Sequence, residues 1–363
     1  MPLSSLLLAL LLLSPMLSLA AQSTTDSAPV ARRRIVVLPV LGAAPETGAQ
    51  YGVALFVTKT SAAPEPTRPS SIVGNAVRTA KQQTRVFLDV DRWSAGNRWR
   101  VLVNSIWQEF PLLYYGNGDE APDSAEEAFT PRGTELALTV QRRIAPAVWL
   151  QVGARRIEQA IVRTEPGLAL ADGSIAGSSG GRTVLATVGV VADSRDNLFA
   201  PALGHLVELT ASSANGAIGS EFDFRRLRLD ARIYRTIGRE HVVAGQFLAQ
   251  GTSGEPPFDQ LALVGSSSAM RGYATGRFRD QWLTSAQGEY RSPLIGRFGA
   301  AVFGGAALIG SSLGDVAKSR VLPTYGAGLR FRLDRVARST VRVDYALGTA
   351  GQSGLYVAFS EAF

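Results

Sequence analysis

From Arg225 to Arg235 the sequence reads RRLRLDARIYR, in which Leu227, Leu229, Ala231 and Ile233 alternate with Arg226, Arg228, Asp230 and Arg232. Successive side chains of a strand point to opposite faces, so this segment makes a strand with one apolar face and one charged face. The pattern recurs. Val86, Leu88 and Val90 oppose Arg85, Asp89 and Asp91, and Leu136, Leu138 and Val140 oppose Glu135, Thr139 and Gln141. Leu329, Phe331 and Leu333 oppose Arg330, Arg332 and Asp334, and Val341, Val343 and Tyr345 oppose Arg342 and Asp344. Such runs fill the chain from about Ile35 to its last residue with no helical period between them, which confines the fold to the all-β class.

Alternation suits a soluble sandwich as well as a barrel with a polar lumen, and the connections separate the two. Short ones at 144–146, 292–296 and 334–339 are interleaved with long ones near 112–132, 158–182, 253–280 and 311–323. Short turns on one side and long loops on the other are the layout of an antiparallel transmembrane β-barrel of the outer membrane. Sixteen strand candidates fit between Ile35 and Phe363, an even number that lets such a barrel close with both termini on the periplasmic side. The Pro/Ala-rich connection Ser61 to Ser70 breaks the rule, because it falls where a short turn is expected.

Residues 1–20 read as a signal peptide, with an apolar run Leu6 to Leu13 and a small-x-small site at Ser18-Leu19-Ala20, although no Lys or Arg precedes the run. Residues 21–34, including Arg32-Arg33-Arg34, then form a short solvated periplasmic linker, and 35–363 form one barrel domain. Beyond residue 22 the longest apolar candidate, Phe298 to Gly310, is too short and too rich in glycine for a spanning helix.

The chain has a net charge of +7, no cysteine, and two histidines, His205 and His241. That composition removes thiolate chemistry and makes a zinc site or a Ser-His hydrolase hard to build. No enzyme activity, metal or cofactor is expected. The arginines are spaced singly on alternate positions rather than gathered with aromatics into a groove, so lumen lining accounts for them and nucleic acid is not an expected partner. Gly177-Ser178-Ser179-Gly180-Gly181 has the serine-hydrolase spacing, but it sits in a Gly/Ser loop and not on a strand-to-helix turn. The acidic stretch Asp119 to Glu127 reads as a solvated loop.

Five segments, in order, resemble the BamA/TamA family of outer-membrane barrels, also called bacterial surface antigens. Pro45-Glu46-Thr47-Gly48 resembles the family's first hairpin turn, and Asp193-Ser194-Arg195-Asp196-Asn197 with Pro201 and Gly204 resembles its periplasmic turn. Arg271-Gly272-Tyr273 falls in the long connection before the twelfth strand candidate, where the family carries Arg-Gly-Tyr or Arg-Gly-Phe. Gly276-Arg277-Phe278-Arg279-Asp280 with Glu289-Tyr290-Arg291 resembles a further motif pair, and Ser360-Glu361-Ala362-Phe363 resembles a family ending. Two departures stand out. Fewer than 20 residues separate the expected cleavage site from the first strand, which leaves no room for the family's client-collecting POTRA repeats. Phe303-Gly304-Gly305 also replaces the family's Phe-x-Asp, whose Asp pairs with the loop arginine.

The resemblance implies a 16-stranded barrel with the long loop folded into its lumen. It also implies a role in placing or moving protein or lipid at the outer membrane of a Gram-negative bacterium. Arg271, Gly272, Tyr273, Gly276 and Asp280 form the lumen-loop motif. Arg271 needs a carboxylate, and Glu289, Asp280 and Asp344 are the candidates. Gly354, Val357, Phe359 and Phe363 form the expected C-terminal assembly signal, with the last three on the apolar face. Expected partners are outer-membrane lipid including lipopolysaccharide, the barrel-assembly machinery during biogenesis, and a separate periplasmic protein. The alternatives are a passive, anion-leaning channel or anchor for a periplasmic partner, and a lipid hydrolase that joins Ser179 or another lumen-edge serine to His205 or His241.

Overall fold

The computed structural model describes residues 33–44, 48–61, 67–335, 337–349 and 351–363. The signal peptide, all but the end of the linker, and Pro45-Glu46-Thr47 lie outside the described residues. Nineteen strands are found among them: β1 (Arg33–Ala44), β2 (Gly48–Lys59), β3 (Ser70–Thr79), β4 (Thr84–Trp93), β5 (Trp99–Glu109), β6 (Leu112–Tyr114), β7 (Glu127–Ala145), β8 (Val148–Arg163), β9 (Gly180–Asp193) and β10 (Gly204–Ala214). They continue with β11 (Phe224–Ile237), β12 (His241–Gly254), β13 (Ala262–Val264), β14 (Phe278–Asp280), β15 (Trp282–Arg291), β16 (Phe298–Gly310), β17 (Leu322–Arg332), β18 (Thr340–Leu347) and β19 (Ser353–Phe359).

All but β6, β13 and β14 follow one another in a single antiparallel meander, each long strand paired with the next. The three short strands lie within the long connections, where alternation over so few residues carries no periodic signal. β7 runs for 19 residues, well past the roughly 9–11 that cross a bilayer, because its first residues pair with β6 above the membrane-crossing part.

The alternation sorts side chains as the pattern requires. Leu136, Leu138, Leu150, Val152, Val188, Val190, Leu227 and Ile233 all stand exposed on one face, an apolar band far larger than a soluble monomer shows and suited to lipid. The opposite face is polar and internally bonded. Gln141 donates to Gln151 at 2.8 Å, Asn104 to Asp89 at 2.9 Å, and Arg100 grips Asp91 through Nε and Nη2.

The interior is filled at two levels. On the long-loop side, Val264, Met270, Tyr273 and Phe278 pack against wall residues Leu248, Leu283, Ile309 and Leu322. On the short-turn side, Trp93 and Trp149 meet edge to face at 5.8 Å over Val191 and Leu206. Arg68, from the connection before β3, stacks on both tryptophans and pairs with Asp193 at 2.5 Å.

The two ends of the meander approach each other without a ladder between β1 and β19 among the described residues. Arg34 pairs with Asp334 at 2.5 Å, and Phe56 of β2 stacks on Phe359 of β19 at 4.4 Å.

Candidate functional site: an inward hairpin clamped by buried charge

The connection from β12 to β15 is a hairpin. β13 and β14 pair Ala262 with Asp280 and Val264 with Phe278, and the chain between them forms the tip. Gly265 (φ 94°) and Met270 (φ 53°) are backbone reversals, and the Ser266 hydroxyl accepts from the Ala269 N–H at 2.9 Å, closing a local turn that suits a serine.

Arg271, at the tip, is fully buried. Its two terminal nitrogens reach Glu289 Oε2 at 2.6 Å and Asp344 Oδ2 at 2.5 Å, while its carbon lies 3.4 Å from the centre of the Phe303 ring. Both carboxylates serve further arginines. Glu289 also meets Arg291 at 2.7 Å and Arg330 at 3.5 Å, and Asp344 also meets Arg330 at 2.5 Å and Arg342. Glu361 joins through Arg330 at 2.7 Å. Four guanidinium groups and three carboxylates thus share one dry cluster, in which each charge is offset by bonded neighbours of opposite sign.

The backbone beside Arg271 is locked as well. Its carbonyl accepts from Thr324. The Gly272 N–H donates to the Tyr356 hydroxyl at 2.9 Å, and the Tyr273 hydroxyl donates to the Pro323 carbonyl at 2.6 Å. Gly272 adopts φ 109°, and a Cβ there would lie 2.7 Å from the Leu347 carbonyl, so only glycine fits this approach.

The remaining arginines of the hairpin hold its cover. Arg277 donates through Nε to Asp123 at 3.0 Å and stacks on Tyr115 at 4.5 Å; Arg279 donates to the Leu113 carbonyl at 3.0 Å and stacks on Tyr114 at 4.9 Å. Both pull the 110–126 connection over the hairpin, so this acidic stretch is a cover and not simply a solvated loop. Gly276 (φ 78°) brings its carbonyl within 3.1 Å of Arg279 Nη2.

Two expectations need correction. Asp280 does not pair with Arg271; it caps the Gln281 N–H at 2.7 Å, because the β13–β14 register sets it at the mouth of the hairpin while Arg271 is at the tip. The carboxylate absent at Gly305 comes instead from Asp344 of β18. A Cβ at Gly305 would sit 2.7 Å from the Ala286 carbonyl, so no aspartate fits there.

The C-terminal signal also differs. Val357 is exposed on the lipid face, with Gly354 on the opposite one, but the strand ends at Phe359 and Ser360 turns with φ 66°. That turn swings Glu361 into the charge cluster and packs Phe363 (2% exposed) against Tyr234 and Ala244 inside the barrel, where its backbone oxygen accepts from Arg291 at 2.8 Å. Glu361 is therefore no lipid-facing charge, and Phe363 no lipid-facing ring.

The 193–204 turn spans the short-turn side of the interior. Asp193 takes Arg195 in a two-point grip at 2.9 Å; Asp196 accepts from the Ala202 and Leu203 N–H groups and pairs with Arg338 at 2.5 Å. Asn197 accepts from Phe199 and Ala200 and donates to the Ala337 carbonyl at 3.0 Å. Pro201 offers its carbonyl to Arg291 at 3.0 Å, and Gly204 (φ 97°) leaves room for the Ser194 carbonyl. Arg291 thus joins this turn to the charge cluster.

Sequence reasoning named Arg271, Glu289 and Asp344 but not Arg291, Arg330, Arg342 or Glu361 as members. A signal for the first three existed: Glu289 and Arg291, and Arg342 and Asp344, are same-face neighbours two residues apart on polar strand faces, and Arg330 shares such a face. Neither histidine is brought to Ser179. His205 bonds Ser194 at 2.9 Å and His241 bonds Tyr290 at 2.6 Å, both at the short-turn ends of their strands, opposite the loop that carries Ser179.

Residues 68–360 match the Omp85 superfamily domain, which is most of the chain. The chain belongs to the Omp85 superfamily. Among solved structures, this Omp85 protein is similar to BamA from Haemophilus ducreyi lacking POTRA domains 1–3, with a TM-score of 0.54 and 14% identity over 91% of this chain and 69% of that one. It is similar to CdiB from Escherichia coli (TM-score 0.58, 12% identity, 93% and 62%) and to CdiB from Acinetobacter baumannii (0.52, 9%, 90% and 58%). It therefore spans less than two thirds of either CdiB chain. At these identities the likeness establishes the fold. Comparison with curated proteins gives no match. Membership of this superfamily makes the protein an outer-membrane β-barrel of a Gram-negative bacterium, related to BamA and CdiB.

Proposed function

We propose that this Omp85 protein places or moves protein or lipid at the outer membrane without enzymatic chemistry. The first-to-last strand junction is the part that yields, and the clamped hairpin is the part that holds the barrel in shape. The observation that carries this reading is the contrast between the two. Arg271 is fixed by two carboxylates within 2.6 Å, whereas no backbone ladder joins β1 to β19 among the described residues, and the junction is bridged by Phe56 of β2 on Phe359 of β19 and by Arg34 of β1 with Asp334. An unpaired strand edge is a template on which another chain can add.

Contact with lipopolysaccharide, the assembly machinery and a separate periplasmic partner belongs to the same proposal, as does the barrel's being one domain over 35–363. The passive-channel alternative is disfavoured by the hairpin and the tryptophan floor, which occupy both levels of the interior.

The test joins the ends. Cysteines replacing Phe56 and Phe359, whose rings stack at 4.4 Å, are bridged by a short cleavable bifunctional reagent in a strain lacking the native gene. The open form should restore the outer-membrane barrier to large antibiotics, the bridged form should fail, and cleavage should restore it. A bridged protein that supports the barrier as well as the open one would refute the proposal.

A further inference from the structure

Between the lumen face of β8, β11 and β12 and the underside of the hairpin lies a chamber of about 290 Å3. Arg155, Arg226, Arg228 and Arg232 border it, with Asp230 and Asp259 as the acids. These charges do not cancel evenly. Arg232 grips Asp230 through Nε and Nη2 at 2.9 and 2.8 Å, and Arg155 pairs with Glu135 at 2.8 Å. Arg228 reaches Asp230 only at 3.5 Å. Asp259 is held by Gln159 at 2.7 Å and Gln260 at 3.3 Å, with no arginine in ion-pair range among the described residues.

Arg226 is the cation left over. Among the described residues it has no carboxylate in ion-pair range, one terminal nitrogen donates to the Gln260 carbonyl, and its Nε, like that of Arg155, is buried with no acceptor. Beyond its burial, the positive charges of Arg155 and Arg228 both bear on it, offset in part by the Asp259 carboxylate. A buried donor without an acceptor is costly, more so when charged, and three neighbouring guanidinium groups repel one another. An anion with several oxygens relieves both costs, since guanidinium forks match phosphate geometry. The chamber is roomier than one phosphate group needs, so the phosphate can carry an organic moiety.

We infer that this chamber binds a soluble phosphate-bearing ligand, held by Arg155, Arg226 and Arg228 beneath hairpin residues Ser266 to Met270. The sheet itself stands between these lumen faces and the lipid, which favours a soluble ligand over a lipid headgroup.

The test is titration of the full chain in phosphatidylcholine nanodiscs with inorganic pyrophosphate at constant ionic strength. Saturable binding of one equivalent is expected, weakened at least tenfold by Arg226→Ala and unchanged by Arg239→Ala in an exposed turn. Retained heat-modifiability shows that both variants are folded, and Arg228→Ala, expected to weaken binding likewise, serves if Arg226→Ala is not. Equal affinity in phosphatidylglycerol nanodiscs assigns the site to soluble ligands, and loss of binding there assigns the same oxyanion site to a lipid phosphate. Absence of saturable binding at millimolar pyrophosphate, or equal weakening by Arg226→Ala and Arg239→Ala, overturns the inference.

Discussion

At the scale of single residues, the charge cluster makes an asymmetric prediction. Glu289 and Asp344 each touch three arginines, whereas Arg271 touches two carboxylates that keep other partners. Removing Arg271 therefore leaves both acids paired, and removing either acid leaves guanidinium groups facing one another. Breaking a buried pair costs about 3–5 kcal/mol. Arg271→Ala should fall near the lower end of that range and Asp344→Asn near the upper, measured by denaturant unfolding in detergent, and the double variant should cost less than the sum because the two share a bond. Equal costs for the two, adding without interaction, would mean that the cluster is not one unit. Gly272→Ala should loosen the tip with every charge intact, because its Cβ has no space beside the Leu347 carbonyl; faster protease cutting between residues 265 and 280 is the readout, and wild-type cutting would argue against the close approach.

At the scale of elements, the C-terminal segment behaves differently from what its sequence suggests. Alternation from Leu355 to Val357 is legible and correct, but Phe359 is half-buried against Phe56 and Phe199, and extending the pattern to Phe363 fails, since one positive φ at Ser360 inverts which side chains face inward. A single backbone reversal leaves no periodic signature, whereas seven alternating residues do. The same limit explains why β13 and β14 escaped notice while the long strands did not. It also explains why the motif residues of the hairpin and of the 193–204 turn could be named but not the atoms they bond. Asp344 was legible as a polar-face residue; that it and not Asp280 meets Arg271 depends on hairpin register, which the alternating pattern does not encode.

The buried position of Phe363 has its own consequence. If its ring acts by packing on Tyr234 and Ala244, Phe363→Ala should cost about 3–5 kcal/mol, and Tyr234→Ala should destabilise the same region with less than additive effect. If the ring acts only as a signal to the insertion machinery, Phe363→Ala will slow membrane insertion and leave the stability of the inserted protein unchanged.

At the scale of the whole molecule, the central claim is that the hairpin lies inside the barrel and is held there by Arg271. The chain has no cysteine, so one introduced thiol reports on one place. Met270, beside Arg271, is 2% exposed within the apolar cluster formed by the hairpin and the wall. Intact cells carrying Met270→Cys should be labelled by a membrane-impermeant maleimide far more slowly than cells carrying the control Ser174→Cys in the exposed connection between β8 and β9, and adding Arg271→Ala should bring the rate at position 270 up toward the control. Fast labelling of Met270→Cys with Arg271 intact would contradict an inward, charge-clamped hairpin.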